Sequence, residues 1–519
     1  MRGKVFLVGA GPGDPKLVTL KALEAVQRAD VVIYDRLVSP VLLMHVKPTA
    51  EKIYAGKKKS VHTLTQDQIN QLLVDYALQG KTVTRLKGGD PTVYGRGGEE
   101  AEVLMRHGID YEIVPGISSI YAVPAYAGIP VTHRDYASSF FVATGHERPD
   151  KLVSSLKWDH LAHAADTLIF LMGVSRIDVI SEQLIRHGRD PDTPVALIRW
   201  GTRAEQRTLV GTLRDIARKV EEAGFLPPAV IIIGDVVRLR DKLAWVEKRP
   251  LFGKRILVTR SRAQAGDMIR RIEELGGEAV PFPVLQIEPI RDAGRLAVLD
   301  QALRSIERYE WIVFTSVNAV EQMFNRLREL RIDVRRLGTK VAAIGPQTAS
   351  ALLDRGIVPE ELPEKYQAET LADHLLARLK PGERVLIPRS SSARDVLPDA
   401  LRSAGYEADA VDVYDNVPSR AHAGWVVDML ESGDISIVTF ASSSAVHYCV
   451  EALKMSGVRE PEQLLNRCKV VCIGPVTADT ARQYRIEVSA TAQEATIASM
   501  IDTLCGITID DAWRNAREE

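Results

Sequence analysis

The second half of this chain is written twice. Ile256-Leu-Val-Thr-Arg260 returns as Val385-Leu-Ile-Pro-Arg389, 129 residues further on. The same offset carries Gly276 to Gly405, Glu278 to Glu407, Pro289 to Pro418, and Ile344-Gly-Pro-Gln-Thr-Ala349 to Ile473-Gly-Pro-Val-Thr-Ala478. Phe314-Thr-Ser-Val-Asn-Ala-Val320 matches Phe440-Ala-Ser-Ser-Ser-Ala-Val446 at an offset of 126. Register shared at so many positions restricts residues 254–504 to two related α/β units of about 125 residues each. A cleft between two such units is a natural place for a ligand.

The 519 residues exceed what one core organises, so further domains are expected. Before the repeat, β-branched runs (KVFLVGA, DVVIYD, KTVTRL, VIIIGDVV) alternate with amphipathic stretches such as LVTLKALEAVQRA, which predicts α/β architecture with largely parallel sheets. A charged segment, RLRDKLAWVEKRP, ends at Pro250, and a strand restarts at Lys254, placing the boundary at 247–253. Lys and Arg number 67 against 68 Asp and Glu, which leaves no basic surplus for nucleic acid or a membrane surface. Cys449, Cys468, Cys472 and Cys505 show neither C-x-x-C nor paired spacing and read as buried or free thiols of a reducing compartment. With no signal segment and no apolar run near about 18 residues, a soluble, cytoplasmic protein is expected.

Near the start, Gly9, Gly11 and Gly13 follow a strand and open a helix. The dinucleotide fingerprint needs glycine at 14, where Asp14 stands, and Pro12 and Pro15 remove amide donors, so a nicotinamide oxidoreductase is disfavoured. Three other stretches accompany Val8-Gly-Ala-Gly-Pro-Gly-Asp-Pro15. They are Asp30-Val-Val-Ile-Tyr-Asp-Arg-Leu-Val-Ser39, Gly88-Gly-Asp-Pro-Thr-Val-Tyr-Gly-Arg-Gly-Gly-Glu-Glu100, and Val114-Pro-Gly-Ile-Ser-Ser119 continuing through Pro124 to Arg134. Glycines at 88 and 89 let backbone approach a ligand closely, Asp90 can accept from a hydroxyl or amino group, and Ser118 and Ser119 are small donors.

Together these stretches resemble the uroporphyrinogen-III C-methyltransferases of the tetrapyrrole methylase family, over about residues 1–245. The resemblance implies a two-lobed domain over 1–247, S-adenosylmethionine held between the lobes, and a homodimer. It carries cofactor contacts onto Pro12, Gly88, Gly89, Asp90, Val93, Ser118, Ser119, Met172, Gly201 and Ala229. Asp35 takes the role of proton acceptor and Lys57 that of donor. Arg96, Glu99 and Arg134 fall on substrate positions, where guanidinium groups suit a macrocycle bearing eight carboxylates. His133 has no second histidine at ligand spacing, and no metal is expected.

The repeated half has its own resemblance. KRILVTR, FTSVNAV, AIGPQTA, FASSSAVHY and CIGPVTADTA are similar to motifs of the uroporphyrinogen-III synthases, over 252–505. That implies two α/β lobes joined by a pair of strands, 252–287 plus 450–505 forming one and 288–449 the other, with 506–519 a tail. The implied reaction closes linear hydroxymethylbilane with loss of water and inversion of the last ring, without cofactor. Gly345-Pro346 and Gly474-Pro475, followed by Thr348 and Thr477, can present amides and a hydroxyl to a carboxylate. Arg260, Ser316, Asn318, Ser442, Ser443 and Ser444 are further candidate contacts, and Tyr448 aligns with the family's candidate catalytic tyrosine.

The expected whole is therefore a bifunctional enzyme of small-molecule tetrapyrrole chemistry, needing neither nucleic acid nor membrane. Its nearest rival is a methylase of a later corrinoid intermediate fused to a two-lobed tetrapyrrole-binding module. A two-lobed sensor alone would leave the first-half motifs idle.

Overall fold

The computed structural model describes residues 2–56, 64–145, 156–260, 262–360, 368–419 and 423–518, without the side chains of 262–264 and 509–518. Four five-stranded sheets organise these residues, two in each half.

In the first sheet, strands Glu51–Tyr54, Val31–Tyr34, Val83–Lys87, Lys4–Gly9 and Asp110–Val114 lie side by side in that order, all parallel. Runs such as VVIY are buried on both faces, as a helix-covered parallel sheet requires. Helix Leu20–Arg28 is capped by the Thr19 hydroxyl and helix Gln66–Leu78 by a Thr65–Gln68 capping box. The two glycine loops leave neighbouring strands at their carboxyl ends and are tied back to back, the Gly89 amide donating to the Gly11 carbonyl at 2.7 Å.

The second sheet, ordered Phe140–Thr144, Thr167–Leu171, Ala229–Ile233, Pro194–Arg199 and Arg207–Thr212, is mixed rather than largely parallel. Only the first pair runs parallel. For the last pair the reason is local: residues 200–206 join its two strands, and a link this short permits only antiparallel pairing.

The second half confirms two α/β lobes but moves their border. Strand Ile437–Phe440 pairs in parallel with Arg255–Val258, in register Ile256 with Ile437, so it belongs to the lobe of residues near 255. Helix Ala423–Glu431 packs into the same core as Leu257 and Phe282. The chain crosses through an antiparallel ribbon, Leu285–Pro289 against the end of Glu407–Pro418. The lobes are thus about 252–284 plus 419–508 and 285–418, not divided at 450. Nor is the end a separate tail, because helix Ile497–Glu518 runs through 506 without a break.

Candidate functional site

Each half carries a candidate site where the carboxyl ends of its strands meet, the position at which open α/β sheets bind ligands.

In the first half, the glycine-rich turn, the Gly88-Gly89 loop, the start of helix Ser119–Tyr126 and the 171–174, 200–203 and 227–230 segments enclose a cavity of about 470 Å³. Pro12, Gly88, Gly89, Val93, Ser119, Met172, Gly201 and Ala229 all line it. Gly89 has φ +70°, a Cβ there would touch only the Ser119 amide nitrogen at 3.8 Å, and its backbone lines the cavity. At Gly201 a Cβ would lie 2.4 Å from Val123, which makes glycine obligatory in that wall. Tyr94, Met172, Trp200 and Thr202 have φ between 49° and 69°. Non-glycine residues in this region are rare and cluster at functional sites.

Asp90 and Ser118 do not line the cavity, and the structure gives each another task. Asp90 Oδ1 accepts from the Thr92 amide and hydroxyl at 2.7 and 2.5 Å, and Oδ2 from the Gly116 amide at 2.9 Å. The carboxylate therefore clamps the two loops behind the wall. Ser118 caps helix Ser119–Tyr126. Trp200 and Arg203 line the cavity without having been singled out from sequence. The guanidinium groups of Arg36 and Arg203 lie 5.5 and 5.1 Å from the Trp200 ring. Their signal was position, Arg36 inside the Asp30–Ser39 stretch directly after Asp35 and Trp200 directly before Gly201.

Asp35 ends strand Val31–Tyr34, and its carboxylate receives the Arg85 guanidinium at 2.7 Å. Arg85 and Lys87 alternate along Val83–Lys87 on one face and share Glu100 Oε1, at 3.2 and 2.7 Å. All three are buried. Burial and the neighbouring Arg85 push the Lys87 ammonium below its usual range, opposed by Glu100. Lys57 lies outside the described residues. Arg96 and Glu99 pair with each other on the surface, and Arg134 is exposed.

In the second half, four helices begin at strand ends. Ser316 caps Val317–Glu329 and Ser442 caps Ser443–Met455 through their hydroxyls, while extended Gly345 and Gly474 precede Pro346–Leu353 and Pro475–Gln483 without a side-chain cap. Their free amides and dipoles favour carboxylates. The serine-capped helices, one from each lobe, meet the same stretch of ribbon. Ser316 Oγ is 3.2 Å from the Tyr414 hydroxyl, and the Tyr448 hydroxyl donates to the Asn416 carbonyl at 3.2 Å.

Asn318 stands in the first turn of its helix, half-buried. Ser444 bonds Ser442 at 3.0 Å, and Ser443 receives the Thr480 hydroxyl at 2.9 Å. Thr348 and Thr477 are buried in their helices. Burial lowers the pKa of the Arg260 guanidinium. Among the described residues, no His, Cys, Asp and Glu cluster could hold a metal, and no helix is long and apolar enough to cross a membrane.

Comparison with known proteins agrees with this division. The family model for tetrapyrrole (corrin/porphyrin) methylases matches residues 4–217, and that for uroporphyrinogen-III synthase HemD matches 266–502. Porphyrin biosynthesis protein HemD of Ruminiclostridium josui is 38% identical over 506 residues, 97% of this chain and 98% of that protein. The uroporphyrinogen-III C-methyltransferase of Priestia megaterium is 56% identical over 235 residues, 45% of this chain and 98% of its own. The S-adenosyl-L-methionine-dependent uroporphyrinogen III methyltransferase of Methanosarcina barkeri is 54% identical over 241 residues, 46% of this chain and 94% of its own.

Proposed function

This chain belongs to the tetrapyrrole methylases through its first half and to the uroporphyrinogen-III synthases through its second, and from that premise we propose that it performs two consecutive steps of tetrapyrrole biosynthesis. The second half closes hydroxymethylbilane to uroporphyrinogen III, releasing water and inverting the last ring. The first half methylates that product at C2 and C7 with S-adenosylmethionine, giving precorrin-2 for sirohaem or cobalamin synthesis. The observation that carries the reading is the convergence of eight resemblance-assigned positions on one 470 Å³ cavity.

That cavity fits S-adenosylmethionine. Its volume lies in the range of small-molecule sites, and its lining combines apolar walls at Val93, Val123 and Ile198 with the Gly88-Gly89 backbone, a mixture that would suit that molecule. When bound, S-adenosylmethionine offers an electrophilic methyl group on sulfur to a nucleophilic pyrrole carbon. Each transfer then requires loss of a proton from the macrocycle, and Asp35, half-exposed at a strand end, is the base that accepts it. Arg203 in the cavity wall and exposed Arg36, both against the Trp200 ring, supply cations for ring carboxylates.

In the synthase half, helix amides at 317, 347, 443 and 476 and the Arg260 guanidinium hold the bilane's carboxylates. Tyr448 donates to the departing hydroxyl, whose loss as water lets the terminal ring carbon be captured with inversion. The methylase half also mediates a homodimer.

The test is one incubation with hydroxymethylbilane, with and without S-adenosylmethionine. Type III uroporphyrinogen should form without it and a dimethylated isobacteriochlorin-type product with it. Only type I uroporphyrinogen, or methylation confined to later corrinoid intermediates, would overturn the reading in favour of the fused binding module.

A further inference from the structure

Two loops of the first half form one side of the cavity and also face the second half. They are the glycine-rich turn that ends at Pro15 and the 200–206 segment. The Asp14 amide donates to Thr202 Oγ1 at 2.9 Å, which ties the two loops together. Trp200 and Thr202 have φ 49° and 69°, conformations that persist only when their surroundings hold them.

The second half supplies that hold at two places. Lys16, directly after the turn, forms an ion pair with Glu273. The Ala204 amide donates to Glu278 Oε2 at 3.1 Å, and Glu205 Oε1 lies 2.6 Å from Arg255 Nη2. Arg255 is 5% exposed and grips Glu278 with two parallel bonds of 3.0 Å, through Nε to Oε1 and Nη2 to Oε2. A bidentate pair of this kind fixes geometry as well as charge. Arg255, Glu273 and Glu278 stand away from the serine-capped helices, and the synthase chemistry makes no use of them.

We propose that the synthase half is a structural part of the S-adenosylmethionine site. Arg255 and Glu278 are positioning residues for the 200–206 segment, and Glu273 positions the turn through Lys16. The proposal rests on the cavity being the S-adenosylmethionine site. Its consequence is reciprocal: if the junction raises cofactor affinity, bound cofactor tightens the junction by the same factor.

The experiment uses the full chain and its variants Glu278→Gln and Lys16→Gln. The second breaks the other attachment at an exposed side chain, so it tests the idea even if the first perturbs folding. Affinity for S-adenosylhomocysteine is measured by calorimetry, and hydrogen exchange of amides 9–16 and 200–206 is measured without ligand. KM for S-adenosylmethionine and kcat are separated, and synthase turnover serves as the check that the second half is folded. Each variant should weaken binding roughly tenfold, the scale of a lost charge-assisted bond. Exchange in both loops should accelerate, and KM should rise with little change in kcat. Parental affinity and parental exchange in both variants would overturn the proposal alone. A parental chain that binds no S-adenosylhomocysteine would overturn the reading of the cavity, and this proposal with it.

Discussion

Asp35 is held from below by Arg85, whose Nη2 stands 2.7 Å from its Oδ1. Arg85 is held in turn by Glu100, and Gln66 donates to the same Glu100 oxygen at 3.1 Å. The second Glu100 oxygen is buried without a hydrogen-bond partner among the described residues, so this carboxylate depends on its two cations. Arg85→Ala should free the Asp35 carboxylate to rotate, and a misplaced base costs up to about 100-fold in kcat. Affinity for S-adenosylhomocysteine should stay within about twofold, and Arg85→Lys should restore part of the rate. Glu100→Gln should be worse for the fold, by about 3–5 kcal/mol in denaturant unfolding, because buried Lys87 loses its counter-ion and Arg85 keeps only Asp35.

Much of this was legible in the sequence, and for a physical reason. Glycine loops leave marks because glycine adopts φ +70°, as at 89, without steric cost and leaves room for Val123 at 201. Trp200 and Thr202 adopt similar backbone without glycine, so nothing in their identity announced it. Asp90 was read as a ligand contact because an aspartate after two glycines satisfies that role equally well on paper. Its partners within the chain, Thr92 and Gly116, are set by how two loops meet, which no local pattern shows. The lobe border failed similarly. Pairing of Ile256 with Ile437 joins residues far apart in sequence, and the internal repeat cuts across it.

Strand Phe140–Thr144 lies at an edge of the second sheet, and Phe140 and Phe141 are 45% and 40% exposed. A sheet edge with no further strand paired to it among the described residues, bearing two exposed aromatics, is the surface expected to be covered in the proposed homodimer. Phe141→Lys should shift sedimentation from dimer toward monomer at micromolar concentration. A variant that remains dimeric would place the interface elsewhere.

Cys449 is fully buried, and burial pushes its thiol up to about 12, against 9.0 for the exposed group. The folded chain therefore keeps a proton that the unfolded chain releases above pH 9. The unfolded state then binds fewer protons, so stability is fully present below pH 9 and falls as pH rises toward 12, by about 1.4 kcal/mol per pH unit. Cys468 and Cys472, both pushed up to about 11, act in the same direction. In urea unfolding at pH 8 and pH 10, Cys449→Ala should start less stable than the parent and lose less between the two. An equal loss in both would remove Cys449 from the alkaline limb.

Tyr448 sits in the second turn of helix Ser443–Met455, beyond the Ser442 cap, with its ring half-buried against the core and its hydroxyl at the interlobe ribbon. Burial raises its pKa, so the phenol keeps its proton and remains a donor at neutral pH. Its partner in the absence of substrate is the Asn416 carbonyl at 3.2 Å, a long bond that a departing hydroxyl can replace. A positioned acid contributes about 100-fold or more. Tyr448→Phe retains the ring and its packing, so the loss of one partly buried hydrogen bond should cost only about 1 kcal/mol of stability. Synthase turnover should fall by about two orders of magnitude, while methylation of supplied uroporphyrinogen III stays at the parental rate. Released bilane should then close unaided to the uninverted type I isomer, which chromatography separates from type III. If type III product instead forms at near the parental rate, Tyr448 is a packing residue, and departure of the hydroxyl must rest on the bilane's own carboxylates and the helix amides that hold them.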